Sequence, residues 1–331
     1  MKYKVSVIIP CYNEEKYIAQ CFDSILENTI VKKLLEVYAV DGGSTDNTRD
    51  IIKEYSKKYE LIQLLNNPKK NASSALNIGI KRSEGDVIIR MDAHAKYGKK
   101  YIENCVTYLK KYNADNVGGT INTIPGADTE QAKSIAWVLS SPFGVGNSDF
   151  RIGSKQPKWV DTVFGGCYKK EVFEKIGFFN ENLERSQDFD FNLRLVRSGG
   201  KILLIPTIKS DYYAKSKLKD FFKHNFNDGV WAILPVKYGS PVFKIRHLLA
   251  GGFVGGLIFL IVISFFSMFF LWLFIIISTF YIITNFYFSF KISFQNKCIK
   301  CIPLVFTAFV FRHFGYGFGT LWGLLRLLGK E

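Results

Sequence analysis

The sequence predicts an α/β fold, a mostly parallel sheet flanked by helices, followed by C-terminal transmembrane helices. Apolar runs "VSVIIP", "LLEVYAV", "LIQLL" and "DVIIRMD" alternate with helical patterns at residues 14–27, 46–58 and 72–81, the signature of βαβ units. Residues 248–290 carry no Asp, Glu, Lys or Arg. At ~1.5 Å per residue, that run is roughly twice the length of a bilayer core of ~30 Å. The hydrophobic fraction of 48% exceeds what a soluble domain alone needs.

The elements follow in order. In "VDGGSTDNTRD", residues 40–50, an apolar strand gives way to an amphipathic helix with Thr45 or Asp46 as N-cap, so the motif is a strand-to-helix turn. Ligands of such sheets bind beyond the carboxyl ends of the strands. That rule selects three loops rich in acidic groups: "PCYNEE", "DGGSTD" and "DAHA". The expected division is a sheet domain over 1–215, an amphipathic segment over 216–247, a helical hairpin over 248–290 bending near Ser267 and Met268, and a basic loop with a third helix over 291–331. Phe221, Phe222, Phe226 and Trp231 interleave with lysines, as in a helix lying at a membrane surface or one closing the core.

The net charge of +15 is scattered, without a basic stripe or stacking aromatics, which excludes nucleic acid as the partner and fits anionic headgroups and a phosphorylated substrate. Lys237, Lys244 and Arg246 precede the hairpin, and Lys291, Lys297 and Lys300 follow it, so both ends are expected in the cytosol. The first residues lack a signal-peptide pattern, which places the sheet domain in the cytosol and the chain in the cell membrane with more than one pass. Six cysteines form no paired framework, and Cys298 and Cys301 are expected as two thiols rather than a zinc site.

The stretches "VSVIIPCYNEEKYIAQCFDSIL", "VDGGSTDNT", "ASSALNIGIKRSEGDVIIRMDAHA" and "FGGCYKKEVFEKIGFFNENLERSQDFDFNLRLVRSGGKI" resemble family 2 glycosyltransferases with the Rossmann-like GT-A fold, over residues 4–210. The "DAH" in place of D-x-D, the C-terminal hairpin and the ending "RHFGYGFGTLWGLL" are similar to the membrane-attached succinoglycan-biosynthesis type. The resemblance implies that Asp92 and His94 anchor a divalent cation on a nucleotide-sugar diphosphate. Imidazole leans towards Mn²⁺ without excluding Mg²⁺. It implies that Asp41 hydrogen-bonds the base while Gly42 and Gly43 let backbone approach it, and that Pro10, Tyr12 and Glu14 complete the nucleoside pocket. Asp188 matches the base that takes the acceptor's proton, and Gly165 and Gly166 fit the acceptor side or a plain loop. Asp190 and Arg194, four apart, suit a structural ion pair.

Processive members carry Q-x-x-R-W after the base. Here Asn227 and Val230 replace Gln and Arg before Trp231, which argues against processive synthesis. The expected activity is inverting transfer of one hexose from a UDP-sugar to a polyprenyl-diphosphate-linked saccharide in cell-surface polysaccharide assembly. Transfer to a bare polyprenyl phosphate, or a catalytically silent scaffold, are the alternatives. Arg312 and His313 fall inside the last apolar segment, where Arg312 either holds a lipid phosphate or lies in interfacial water.

Overall fold

The computed structural model describes residues 3–28, 35–240 and 245–329, the first three residues of the last stretch by backbone alone. Lys244 and the side chain of Arg246, part of the expected basic flank, lie outside this description. Two compact units are present: Met1–Asn122 with Asp149–Tyr212, and Thr123–Ser148 with Tyr213–Glu331. Residues 123–148, inside the span expected as one sheet domain, thus group with the C-terminal helices.

The first unit is built on a sheet of β1 (Val5–Cys11), β2 (Leu35–Asp41), β3 (Ile62–Asn66), β4 (Val87–Arg90), β5 (Ala95–Tyr97), β6 (Asn116–Ile124), β7 (Lys158–Val160), β8 (Phe164–Lys169) and β9 (Ile202–Tyr213). Its order is β3-β2-β1-β4-β8-β6-β9-β5, with β7 beside β9. The first four strands are parallel, as expected of βαβ units, with Val5 opposite both Leu35 and Val87. The sheet is mixed because β8 runs antiparallel to β4 and β6, and β9 antiparallel to β5 and β7.

Alternation along the strands sorts the core into two faces. Val5, Val7, Ile9, Val37 and Ala39 meet Ile18, Phe22 and Ile102 on one side. Ile8, Tyr38, Val40 and Ile88 meet Leu76, Ile80 and Phe191 on the other. Every residue of β2 is buried, Glu36 and Asp41 included, which explains why the rest of the strand is apolar. This double cover leaves the strand ends as the places where polar side chains can gather.

In the second unit, helix Ile245–Ser264 and helix Met268–Gln295 form the expected hairpin, with Ser267 at the N-cap of the latter. Met268–Gln295 and Ile299–Leu328 are long and apolar enough to cross a membrane, and Leu248–Ser264 is a shorter apolar helix. Helix Leu218–Ile233 packs on helix Ile302–Leu328 through backbone contact. A Cβ at Gly319 would overlap the Phe226 carbonyl, and one at Gly229 would overlap the Tyr316 carbonyl. Small residues spaced by four let two backbones approach this closely. Phe221 is buried against Ile135, Val305 and Phe309, so the aromatics of this segment contribute to the interior of their unit.

Two sequence expectations change here. Cys298 and Cys301 form a disulfide, because the short helix Ile299–Cys301 brings their Cα atoms to 5.3 Å, within bridging reach. Arg312, expected on a lipid phosphate or in interfacial water, has protein partners: its Nε donates to the Gly144 carbonyl at 3.0 Å and a terminal nitrogen to Asn225. His313 beside it bonds through Nε2 to the Phe143 carbonyl at 2.8 Å and through Nδ1 to the Tyr281 hydroxyl at 3.1 Å. Adjacent cationic and imidazole side chains therefore pin the turn at 143–144 to the last helix. Gly319→Ala should destabilise this unit by ~1–3 kcal/mol through overpacking, visible as a lower melting temperature in detergent. Gly256→Ala, within a helix and with nothing within 4 Å of its Cβ, should hold or slightly raise the melting temperature.

Candidate active site

The carboxyl ends of the parallel strands carry loops that are laced to one another by short polar side chains. Asn13, in the left-handed region at φ 55, donates its N–H to Ser44 Oγ at 2.9 Å and accepts from the Thr45 N–H at 2.9 Å. The Glu14 N–H donates to Thr48 Oγ1 at 2.7 Å, and the Asn47 N–H donates to Glu15 Oε2 at 3.0 Å. The first helix starts at Ile18, after a turn in which the Tyr17 and Ile18 N–H groups donate to the Glu14 carbonyl at 2.9 Å. The second helix, Thr48–Lys58, has Asn47 at its N-cap rather than the expected Thr45 or Asp46, and Asp46 Oδ1 accepts from the Thr48 N–H at 3.0 Å.

Asp41 is turned into its own loop. Its wholly buried carboxylate accepts from the Gly43 N–H at 2.9 Å, from the Ser44 N–H and hydroxyl, and from Arg49 at 2.6 Å. Burial alone would raise its pKa, but the bonds from Ser44, Arg49 and Gly43 outweigh it and hold the carboxyl below its ordinary 3.8. Gly43 has φ 81, which only glycine adopts freely, and a Cβ on Gly42 would stand 3.4 Å from the Lys70 Cα. The close approach at Gly42 is thus to the loop after β3. Tyr12 is 53% exposed on the outer side of the first loop, and Pro10 is half-buried in β1.

The fourth strand ends in the densest charge cluster. Arg90, only 11% exposed, donates to Asp92 Oδ1 at 2.7 Å and to Asp188 Oδ2. It therefore joins the end of β4 to helix Gln187–Arg197, bringing Asp92 and Asp188 around one guanidinium. The other oxygen of Asp188, Oδ1, is buried without a hydrogen-bond partner among the described residues. Desolvation raises the Asp188 pKa above its ordinary 3.8; Arg90 lowers it, the charge of Asp92 raises it further, and the net shift is upward. Asp190, two residues on, pairs with Arg194 Nε at 3.0 Å, the structural ion pair expected of that spacing. Gly165, at φ 71, lets β8 pass the Arg90 carbonyl, which a Cβ would approach to 3.1 Å.

His94 Nδ1 lies 3.0 Å from Glu14 Oε1, a carboxylate–imidazole pair that orients the ring. The Asp92 N–H is held by the Tyr97 hydroxyl at 2.6 Å, which fixes the bend between Asp92 and His94. Among the described residues, no group of three or more His, Cys, Asp or Glu could hold a metal by itself. One carboxylate and one imidazole do fit a divalent cation that arrives with phosphate oxygens completing its shell. A polar cavity of 480 Å³ lined by Tyr3, Asp86, Lys110, Lys169 and Glu174 lies at the opposite end of β4, away from these groups.

Sequence reasoning missed Arg90, although a charged residue within the apolar run "DVIIRMD" was a signal, because a strand buried on both faces admits a cation only when it is paired. It also missed Glu14 as the partner of His94 and Asn13 as the link between loops, which sequence separations of 80 and 32 hide.

The family model described as glycosyl transferase family 2 matches residues 6–177. The chain belongs to that family. This glycosyltransferase is 33% identical over 266 residues to the dolichyl N-acetyl-alpha-D-glucosaminyl phosphate 3-beta-D-2,3-diacetamido-2,3-dideoxy-beta-D-glucuronosyltransferase of Methanococcus voltae, covering 78% of this chain and 81% of the relative. It is 28% identical to the succinoglycan biosynthesis protein ExoA of Rhizobium meliloti, covering 72% of this chain and 76% of that protein. The fold is also that of a mannosyltransferase from Pyrobaculum calidifontis solved with GDP-Man and Mn²⁺, at a TM-score of 0.56 and 18% identity over 76% of this chain and 70% of that one.

Asp41→Ala should destabilise the fold at pH 7 by ~1–3 kcal/mol, since Arg49 and two backbone donors lose their acceptor. A lowered carboxyl pKa stabilises the fold above the ordinary value and loses that stabilisation as pH falls through the folded pKa. The melting-temperature gap between wild type and variant should therefore close only below pH 3.8.

Proposed function

We propose that this enzyme transfers a single hexose, with inversion, from a UDP-sugar to a polyprenyl-diphosphate-linked saccharide during surface polysaccharide assembly. The observation that carries the reading is the pair of oxygens on Asp188: Oδ2 is anchored by Arg90 while Oδ1 is buried and unpartnered. A carboxylate so held can take the proton of an acceptor hydroxyl at a fixed atom. As that oxygen bonds to the anomeric carbon, the bond from carbon to the donor phosphate breaks and UDP leaves.

Asp92 and His94 would hold the divalent cation, Mn²⁺ or Mg²⁺, which neutralises charge on the departing diphosphate. Glu14 orients His94 for that purpose, and Arg90 keeps Asp92 and Asp188 apart yet close. Pro10 and Tyr12 line the nucleoside side. Asp41 gives its loop the shape on which the base rests, a role matched to its four internal donors.

The Methanococcus voltae relative is named for a dolichyl phosphate-linked sugar acceptor, which supports a lipid-linked saccharide here and favours a second reading with one phosphate instead of two. The two helices long and apolar enough to cross a membrane support a multi-pass anchor, and the flanking Lys237, Lys291, Lys297 and Lys300 support a catalytic unit on the cytosolic side.

The test is transfer of label from a panel of UDP-sugars into solvent-extractable lipid, with Mn²⁺ or a chelator, using acceptors that carry a saccharide on polyprenyl phosphate or diphosphate. Label should enter lipid only with metal and an acceptor, and Asp188→Asn should lower kcat by ~10²–10⁴. Loss of transfer with every lipid acceptor would overturn the reading. Because Asp188 must be ionised, kcat/KM should fall on the acid side through a pKa above 3.8. Removing the guanidinium in Arg90→Gln should move that fall to higher pH, since Arg90 is the influence that lowers the pKa.

A further inference from the structure

Arg151 has no part in the chemistry above, yet it is placed as a binding residue. It lies in the short helix Asp149–Ile152, and its terminal nitrogen NH1 is buried with no hydrogen-bond partner among the described residues. The acid nearest in sequence, Asp149, is taken by Lys158, whose Nζ reaches its two oxygens at 2.8 and 2.9 Å. The guanidinium stands 5.3 Å from the ring centroid of Tyr212 and 5.6 Å from that of Phe150, so aromatic rings cover part of it. Tyr212 in turn meets His94 edge-on at 5.9 Å and Phe164 at 6.0 Å. Arg151 is therefore one aromatic ring away from the histidine proposed as metal ligand.

A buried guanidinium donor left without an acceptor is costly, and native proteins rarely keep one unless a ligand completes it. The planar fork matches phosphate oxygens, and stacking on Tyr212 fixes its plane before any ligand arrives. We infer that Arg151 is a phosphate-binding residue of the active site, and that the phosphate it takes is that of the lipid-linked acceptor. The inference rests on the phosphate-bearing acceptor proposed above. A donor diphosphate offers the same oxygens, so the experiment separates the two sources.

Full-length protein in detergent, as wild type, Arg151→Gln and Arg151→Lys, would be titrated calorimetrically with UDP plus Mn²⁺ and, separately, with inorganic pyrophosphate. The same three proteins would be assayed on a polyprenyl-linked saccharide and on an alkyl glycoside of that saccharide, which has no phosphate. The expected result is a KM for the polyprenyl-linked acceptor raised roughly tenfold to a hundredfold in Arg151→Gln, the usual weight of one charge-assisted hydrogen bond. The preference for the phosphate-bearing acceptor over the glycoside should fall by the same factor, UDP affinity should hold within about twofold, and Arg151→Lys should recover part of the loss.

Weaker UDP binding with the acceptor preference intact would overturn the acceptor assignment and give Arg151 to the donor. A lower melting temperature with pyrophosphate, UDP and acceptor constants all unchanged would overturn phosphate binding altogether. If wild type transferred to no lipid acceptor, the proposed function would fail by itself. The pyrophosphate titration would still decide Arg151, because weaker binding in Arg151→Gln upholds the phosphate site and equal binding removes it.

Discussion

A guanidinium removed from water must be neutralised where it sits, and Arg90 meets that constraint with two carboxylates at once. The arrangement fixes more than a charge balance. Arg90 lies at the end of a strand whose neighbours are buried on both faces, so it cannot swing out to solvent, and Asp92 and Asp188 must come to it. One of those acids follows the strand directly; the other opens a helix nearly a hundred residues later in the chain, and their common partner makes a single site of them.

The loops on the neighbouring strands obey a similar logic at lower charge. Asn13, Ser44, Thr45 and Thr48 exchange backbone and side-chain hydrogen bonds, and Asp41 closes the second loop from within. Polar residues of this kind were legible as turn formers, and the order of strands and helices around them followed from the alternation of apolar runs. The tie between the Glu14 N–H and Thr48, thirty-four residues on, was not legible, because nothing local marks it. Nor was the mixed character of the sheet: "FGGCYK" reads as a strand, but its direction depends on what lies between it and β4.

Among the candidate residues, local pattern revealed those that interact through near neighbours and missed those whose partners are remote. Asp190 and Arg194 pair at helical spacing, as their sequence separation predicted. Asp92, His94 and Asp188 stood out through resemblance, whereas Arg90, Glu14 and Arg151 gain their meaning from groups distant in the chain. In the C-terminal unit, the costly Arg312 within an apolar helix seemed to call for a phosphate or for water. The carbonyl of Gly144 and the amide of Asn225 accept hydrogen bonds from it, both supplied by segments far upstream.

That last feature bears on how the protein is made. The turn at 143–144 waits for Arg312 and His313, and helix Leu218–Ile233 waits for the glycines of Ile302–Leu328. At a synthesis rate of ~5–20 residues per second, the interval between the first of these segments and its partner is roughly 10–40 s. Throughout it, the ribosome-bound chain presents the apolar face of Glu130–Leu139, and in its later part also Phe221, without their final cover. The nascent enzyme is therefore a client for chaperones or for the membrane insertion machinery until its final helix emerges.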